Sequence, residues 1–186
     1  MNLHSDKIQK AVFAGGCFWC TEAIFKRLKG VLSVLPGYSG GEVESPSYEQ
    51  VSSGTTGHAE AIQIEFDPKV VAFQKLLEVF FYIHDPTTPN QQGNDIGEQY
   101  RSAIFYHSAK QKSEAEKFVA KLESEKVYPR PVVTTIEPFN NFFIAEDYHK
   151  NYFEKNKDAP YCNYVISPKI KKLLEKFGSG VKEEYK

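Results

Sequence analysis

Apolar and polar positions repeat with two different periods along this chain. Ala59–Phe66 carries Ala61, Ile62, Ile64 and Phe66 in near-alternation and predicts a strand. Lys7–Ala14, anchored by Ile8, Val12 and Phe13, predicts another, as do Val31–Tyr38, Arg101–Tyr106 and Val132–Glu137. Helical spacing takes over elsewhere. Phe73, Leu76, Leu77, Phe80 and Ile83 place a helix after Asp67-Pro68, and Ala23, Ile24 and Leu28 predict one from Cys17 to about Leu28. Ser108–Lys126 reads as a charged amphipathic helix capped by Ser108, Asp147–Lys155 as a further helix, and Tyr48–Ser52 as a short one. After Pro160-Tyr161-Cys162 a basic helix is expected from Ile170 to Phe177, followed by a frayed tail, Gly178–Lys186.

The resulting order, β-α-β-β-α-β-α-β-α, suits a two-layer α/β (α+β) sandwich with a mixed sheet. We expect a ferredoxin-like core and a coil-rich C-terminal segment. No repeat or linker divides the chain, so one domain is expected over 1–186, with a catalytic core at about 7–160 and the C-terminal segment at about 161–186. The long polar stretch Asp85–Gln99 is the unusual connection, because structureless loops of that length tend to be functional.

Charge changes the picture little. A net charge of −1 gives no electrostatic reason to expect nucleic acid or a membrane surface as partner. No signal peptide and no long apolar run is seen, and three cysteines make no disulfide scaffold; a reducing, cytoplasmic setting and a monomer are the simplest expectations.

Candidate chemistry concentrates in Ala14-Gly15-Gly16-Cys17-Phe18-Trp19-Cys20-Thr21-Glu22, where a strand passes through two glycines into a helix. A thiol at a helix N-terminus faces unpaired N–H groups that favour the thiolate, the nucleophilic form, so Cys17 is expected to be competent. Three readings of Cys17 and Cys20 compete: a redox pair, half a zinc site, or inert core thiols. Their i, i+3 spacing puts both on one face. Zinc needs two further ligands, and only Cys162 and scattered histidines remain, so redox chemistry is preferred and no metal is expected. A thioredoxin-type motif differs, since its tryptophan precedes the first cysteine and Trp19 lies between the two.

Other segments are more ambiguous alone. Gly37-Tyr38-Ser39-Gly40-Gly41 matches a nucleophile elbow formally, but no helix start follows, so a glycine turn is expected. Glu60, entering an apolar strand after Gly54-Thr55-Thr56-Gly57-His58-Ala59, is either a charged strand end or a buried carboxyl kept protonated by desolvation. Gly93-Asn94-Asp95 is either a solvated turn or part of a site, and His58, His84, His107 and His149 read as structural.

Taken together, these segments resemble the type A peptide methionine sulfoxide reductases. The resemblance is collinear: Gly16-Cys17-Phe18-Trp19, Gly37–Gly41, Tyr48, Gly54–Glu60, His84-Asp85-Pro86, Gln92–Asp95, Gln99–Ser102 and Ala145-Glu146-Asp147-Tyr148-His149. It implies thiol-dependent reduction of methionine-(S)-sulfoxide, free or in proteins, without cofactor and with thioredoxin as reductant. Cys17 would attack the sulfoxide sulfur, Phe18 and Trp19 would receive its methyl group, and Glu60 would protonate the oxygen. Tyr48 and Tyr100 would hydrogen-bond that oxygen, and Asp95 would hold the pocket in place. Cys17 would end as a sulfenic acid, which a second thiol condenses to a disulfide. Two candidates exist: Cys162 matches the family's C-terminal resolving position, whereas Cys20 stands where many members have glycine. We expect Cys20 to attack first and Cys162 to relay the disulfide outward; a direct Cys17–Cys162 route stays open.

Overall fold

The computed structural model describes residues 8–186; the polar start Met1–Lys7 lies outside the described residues. Six strands form the frame: β1 (Gln9–Gly15), β2 (Val31–Ser39), β3 (Ala59–Phe66), β6 (Ser102–Tyr106), β7 (Thr135–Pro138) and β8 (Phe143–Ile144). They lie in one sheet in the order β7-β6-β1-β3-β2-β8. Two-residue strands β4 (Gln91–Gln92) and β5 (Asp95–Ile96) pair as a separate hairpin. All pairs of the large sheet are antiparallel except β6 with β7, so the sheet is mixed. The four inner strands lie in the order β6-β1-β3-β2, with α1 (Phe18–Phe25) and α3 (Phe73–Ile83) as the crossovers and a short α2 (Tyr48–Ser52) ahead of β3. That is the ferredoxin-like arrangement.

Strand alternation sorts the two faces. Ala11, Phe13, Ile62, Ile64 and Ile104 face the helices α1, α3, α4 (Ala109–Ser124) and α6 (Ser167–Phe177) in the main core. Val12, Ala14, Ala59, Ala61, Ala103 and Phe105 face the other way, covered by Phe139 and Phe142. The small residues there let a loop, rather than a helix, close the second face. Within the core Phe13 stacks on Phe80 at 4.9 Å, and each such buried ring contributes about 1.5–3 kcal/mol.

Several elements differ from expectation for local reasons. Asp67-Pro68 opens a turn, and α3 begins only after Ala72. Helix α1 stops at Phe25, because its following residues form tight turns into Gly30 at φ +83°. The expected helix over Asp147–Lys155 is a 3-10 turn (Asp147–His149) and a short α5 (Tyr152–Lys155), separated by Asn151 at φ +55°. The C-terminal segment is helical rather than coil-rich: a π-helical turn, Cys162–Ile166, runs directly into α6, and Ile166, Ile170, Leu173 and Phe177 repeat at helical spacing and reach the cores. Nor is the tail frayed. Val181 bridges to Leu28, Lys182 N–H donates to the Arg27 carbonyl at 2.9 Å, and Arg27 stacks over Tyr185 at 4.7 Å. The stretch Asp85–Gln99 is organised by the β4–β5 hairpin and by Gln92, which exchanges hydrogen bonds with the Asp85 backbone at 3.0 Å each way. No described helix is long and apolar enough to cross a membrane.

Candidate active site

Strand β1 ends at Gly15, and Gly16 at φ +88° turns the backbone so that Cys17 becomes the N-cap of α1. A side chain at Gly16 would meet Gln92 Cγ at 2.6 Å, so glycine is required both for the turn and for the hairpin's approach. Cys17, Cys20 and Cys162, all free thiols, share one buried cluster with Ala23 and Ile166. Trp19, Tyr100, Tyr152 and Tyr161 pack around it. Among the described residues no group of histidine, cysteine or carboxylate side chains is arranged to hold a metal.

Glu60 reaches this cluster from the sheet. On β3 it shares the helix-facing side with Ile62 and Ile64, and its Oε2 accepts the Phe18 N–H at 3.0 Å. Burial pushes its carboxyl up to about 8, against the lowering effect of that N–H; Asp95 and Cys20 push it further up. A carboxylic acid is thereby kept largely protonated at neutral pH beside a thiol.

The thiols depart from the simple helix-terminus expectation. Cys17 makes no side-chain capping hydrogen bond, and the first helical N–H, that of Phe18, goes to Glu60. Burial, the hydrogen bond with Cys20 and the nearby Glu60 all raise the Cys17 thiol. Cys20 is drawn down to about 7, chiefly by that same hydrogen bond from Cys17. Of the two thiols, Cys20 is therefore the one that ionises first. Cys162 is fully buried in the cluster and its thiol is raised by burial and by Cys20.

The aromatic residues divide into floor and wall. Phe18, only 1% exposed, lies beneath the site between Tyr38, Tyr48 and His149, which is deeper than a wall residue. Trp19 is half-buried; Tyr152 lies flat against its ring at 3.7 Å and 6°, and Tyr161 meets it edge-on at 5.8 Å. Tyr48 and Tyr100 flank the same space, both phenols raised by burial and then by Glu60. Asp95, on β5, accepts the Tyr161 hydroxyl at 2.8 Å, and that hydroxyl also contacts Cys20 Sγ at 3.7 Å.

The structure thus brings together Cys17, Phe18, Trp19, Cys20, Tyr48, Glu60, Asp95, Tyr100 and Cys162 and adds others. His149, expected to be merely structural, accepts the Trp19 Nε1–H on Nδ1 at 3.0 Å and so fixes the indole's edge. Glu146 takes the Tyr38 hydroxyl and the Tyr48 N–H, both at 2.8 Å. Tyr161 and Tyr152 escape a reading of the sequence because single tyrosines in an aromatic-rich chain carry no signal; Glu146 and His149 are visible only within the Ala145–His149 motif. His58 and His84 are structural as expected, paired with Gly41 N and with Ser102 Oγ. The Gly37–Gly41 segment is a strand end and glycine turn, with Gly40 at φ +85°.

Comparison with known proteins decides the family. The peptide methionine sulfoxide reductase profile matches residues 9–180. The chain belongs to that family. The reductase MsrA of Sulfolobus acidocaldarius is 56% identical over 91% of this chain and 96% of its own. Mxr1 of Saccharomyces cerevisiae in its reduced form is 36% identical, with a TM-score of 0.77 over 84% of this chain and 90% of that one. Mxr1 has also been solved in complex with Trx2; that form matches with a TM-score of 0.55 and 27% identity over 82% of this chain and 89% of the other. As a family member, this chain is an oxidoreductase with a mixed α/β fold.

Proposed function

We propose that this chain reduces methionine-(S)-sulfoxide, free or in proteins, to methionine, with thioredoxin restoring the enzyme. The observation that carries the reading is the juxtaposition of Glu60, a buried acid pushed up to about 8, with the Cys17–Cys20 pair at the edge of Trp19. Sulfoxide oxygen leaves poorly unless protonated, so a proton donor must coexist with a sulfur nucleophile.

The sulfoxide methyl group sits against Trp19, with Phe18 as the floor. Burial of one methyl contributes only about 0.8 kcal/mol, so the rings chiefly orient the sulfur. Tyr48 and Tyr100 hydrogen-bond the oxygen, Glu60 donates its proton to it, and Cys17 attacks the sulfur after passing its own proton to Cys20. Methionine leaves, sulfur having gained two electrons; Cys17 holds the oxygen as a sulfenic acid. Cys20, already hydrogen-bonded to Cys17, condenses with it to a disulfide and water. Cys162, in the same cluster, exchanges into that disulfide and carries it toward thioredoxin. Asp95 holds Tyr161 and the hairpin against the pocket.

One reductase domain carries these steps as a monomer, in the cytoplasm, where three free thiols persist. The deciding experiment is turnover of the separate S and R epimers with dithiothreitol by wild type and Cys17→Ser. Reduction of the S epimer alone, lost in the variant, is expected; a folded wild type reducing neither epimer refutes the reading.

A further inference from the structure

Glu22 is a buried carboxylate for which the reaction above has no use. It is 2% exposed, one turn beyond Trp19 on α1. Its Oε1 accepts the Asn151 N–H at 2.8 Å, and the carboxylate also takes the Tyr152 N–H. Lys26, one turn further on, donates to the Asn151 side chain at 2.6 Å. Trp19, Glu22 and Lys26 fall at i, i+3 and i+7, so one face of α1 grips a two-residue segment.

That segment is unusual. Asn151 adopts the left-handed conformation, φ +55° and ψ +37°, which asparagine tolerates better than other non-glycine residues and which here breaks the helix between Asp147 and Lys155. The next residue is Tyr152, whose ring lies on Trp19 at 3.7 Å and 6°. The indole is therefore fixed at its edge by His149 and on one face by Tyr152. A carboxylate suits the task because it only accepts, whereas an amide would turn a donor toward one of two converging N–H groups.

We propose that Glu22 is a positioning residue for the substrate pocket: by holding the Asn151 and Tyr152 N–H groups it presses the Tyr152 ring onto Trp19 and fixes the indole face that receives the sulfoxide methyl. The proposal rests on the reading that Trp19 lines the pocket. Glu22 touches no reacting atom and acts through Tyr152.

Trp19 is the chain's one tryptophan, so its emission reports the stack directly. The test uses the reduced full-length protein as wild type, Glu22→Gln, Glu22→Ala, Tyr152→Ala and the double variant Glu22→Ala/Tyr152→Ala. Trp19 emission is read without substrate, and KM and kcat are read with the S epimer and dithiothreitol. Glu22→Ala is expected to red-shift the emission and raise KM roughly tenfold, the scale of one lost aromatic pair, with the loss falling on KM more than on kcat. Tyr152→Ala does the same, the double variant is no worse than Tyr152→Ala, and Glu22→Gln, which keeps one acceptor, is intermediate. Wild-type emission and KM in Glu22→Ala, or additive losses in the double variant, overturn the proposal. Should Glu22→Ala not fold, Glu22→Gln decides, an unshifted emission counting against it. A KM indifferent to Trp19→Phe refutes the pocket reading instead, and the emission series still decides whether Glu22 holds the stack.

Discussion

The Tyr161 hydroxyl donates to Asp95 Oδ2 at 2.8 Å while reaching both thiols of the Cys17–Cys20 pair. The C-terminal segment thus lies over the nucleophile, and Cys17 is only 7% exposed. On the proposed reading substrate enters this same space, so Tyr161 has to move aside for each turnover. Because Cys162 is the next residue, such a movement would also displace the third thiol. Removing the ring should open the site: in Tyr161→Ala, alkylation of Cys17 and Cys20 by iodoacetamide, followed by mass spectrometry, is expected to be about tenfold faster than in wild type. Tyr161→Phe, which loses only the hydroxyl, should give a smaller gain, about threefold, the scale of one modest net hydrogen bond of ~0.6 kcal/mol. Equal rates in all three proteins mean that Tyr161 does not guard the thiols.

The cysteines separate by what each step needs. Cys20→Ser should still release one methionine per enzyme in a single turnover, more slowly because the acceptor of the Cys17 proton is lost, and leave Cys17 as a sulfenic acid trappable by dimedone. Cys162→Ser should form the Cys17–Cys20 disulfide normally and lose turnover with thioredoxin while keeping it with dithiothreitol. Undiminished thioredoxin-supported turnover in Cys162→Ser excludes the relay, and failure to form any disulfide without Cys162 favours the direct route.

Much of the fold is legible because β3 and α3 state their periods clearly: Ala59–Phe66 is the strand predicted, and Phe73, Leu76, Leu77, Phe80 and Ile83 are all buried. Boundaries fail where single residues override periodicity. Asn151 breaks a helix that composition alone would continue, and the Phe143–Ile144 strand is too short to show any period. The residues of the site are legible as motifs, but its charge distribution is not. Which group receives the Phe18 N–H depends on β3 bringing Glu60 from 42 residues away. What raises Cys17 while lowering Cys20 is chiefly burial and the hydrogen bond between the two thiols, neither of which leaves a pattern in the sequence. The order of the tail is hidden because its attachments, Val181 to Leu28 and Tyr185 to Arg27, are tertiary and leave no local pattern.

Gly16 tests the coupling between the nucleophile's turn and the hairpin. A methyl group there would meet Gln92 Cγ at 2.6 Å and Cβ at 2.7 Å, on backbone at φ +88°. Gly16→Ala is expected to cost about 1–3 kcal/mol, seen as a lower urea midpoint, and to lower turnover by displacing Gln92 and with it the hairpin that carries Asp95. Wild-type stability and turnover in Gly16→Ala show that the turn tolerates a side chain.

Glu60 ties activity and stability to the same proton. Its carboxyl is pushed up to about 8, so the acid form prevails at neutral pH and is lost above that value. The single-turnover rate should therefore fall on the alkaline side with a midpoint near 8, and Glu60→Gln should abolish most of the rate and that limb together. The stability effect has the opposite sign to an ordinary salt-bridged carboxylate. A raised folded-state pKa means that the native protein binds the proton more tightly than the unfolded chain, so this stabilisation is complete below the unfolded value, near 4.5, and is lost as pH rises through about 8. Every tenfold gain in proton affinity on folding corresponds to about 1.4 kcal/mol. Glu60→Gln keeps an oxygen for the Phe18 N–H and removes the buried charge; its Tm should match wild type at about pH 4, below the unfolded value, and exceed it at about pH 9. A Tm difference independent of pH would show that Glu60 titrates near its ordinary value, and the acid assigned to the sulfoxide oxygen would then have to be sought elsewhere.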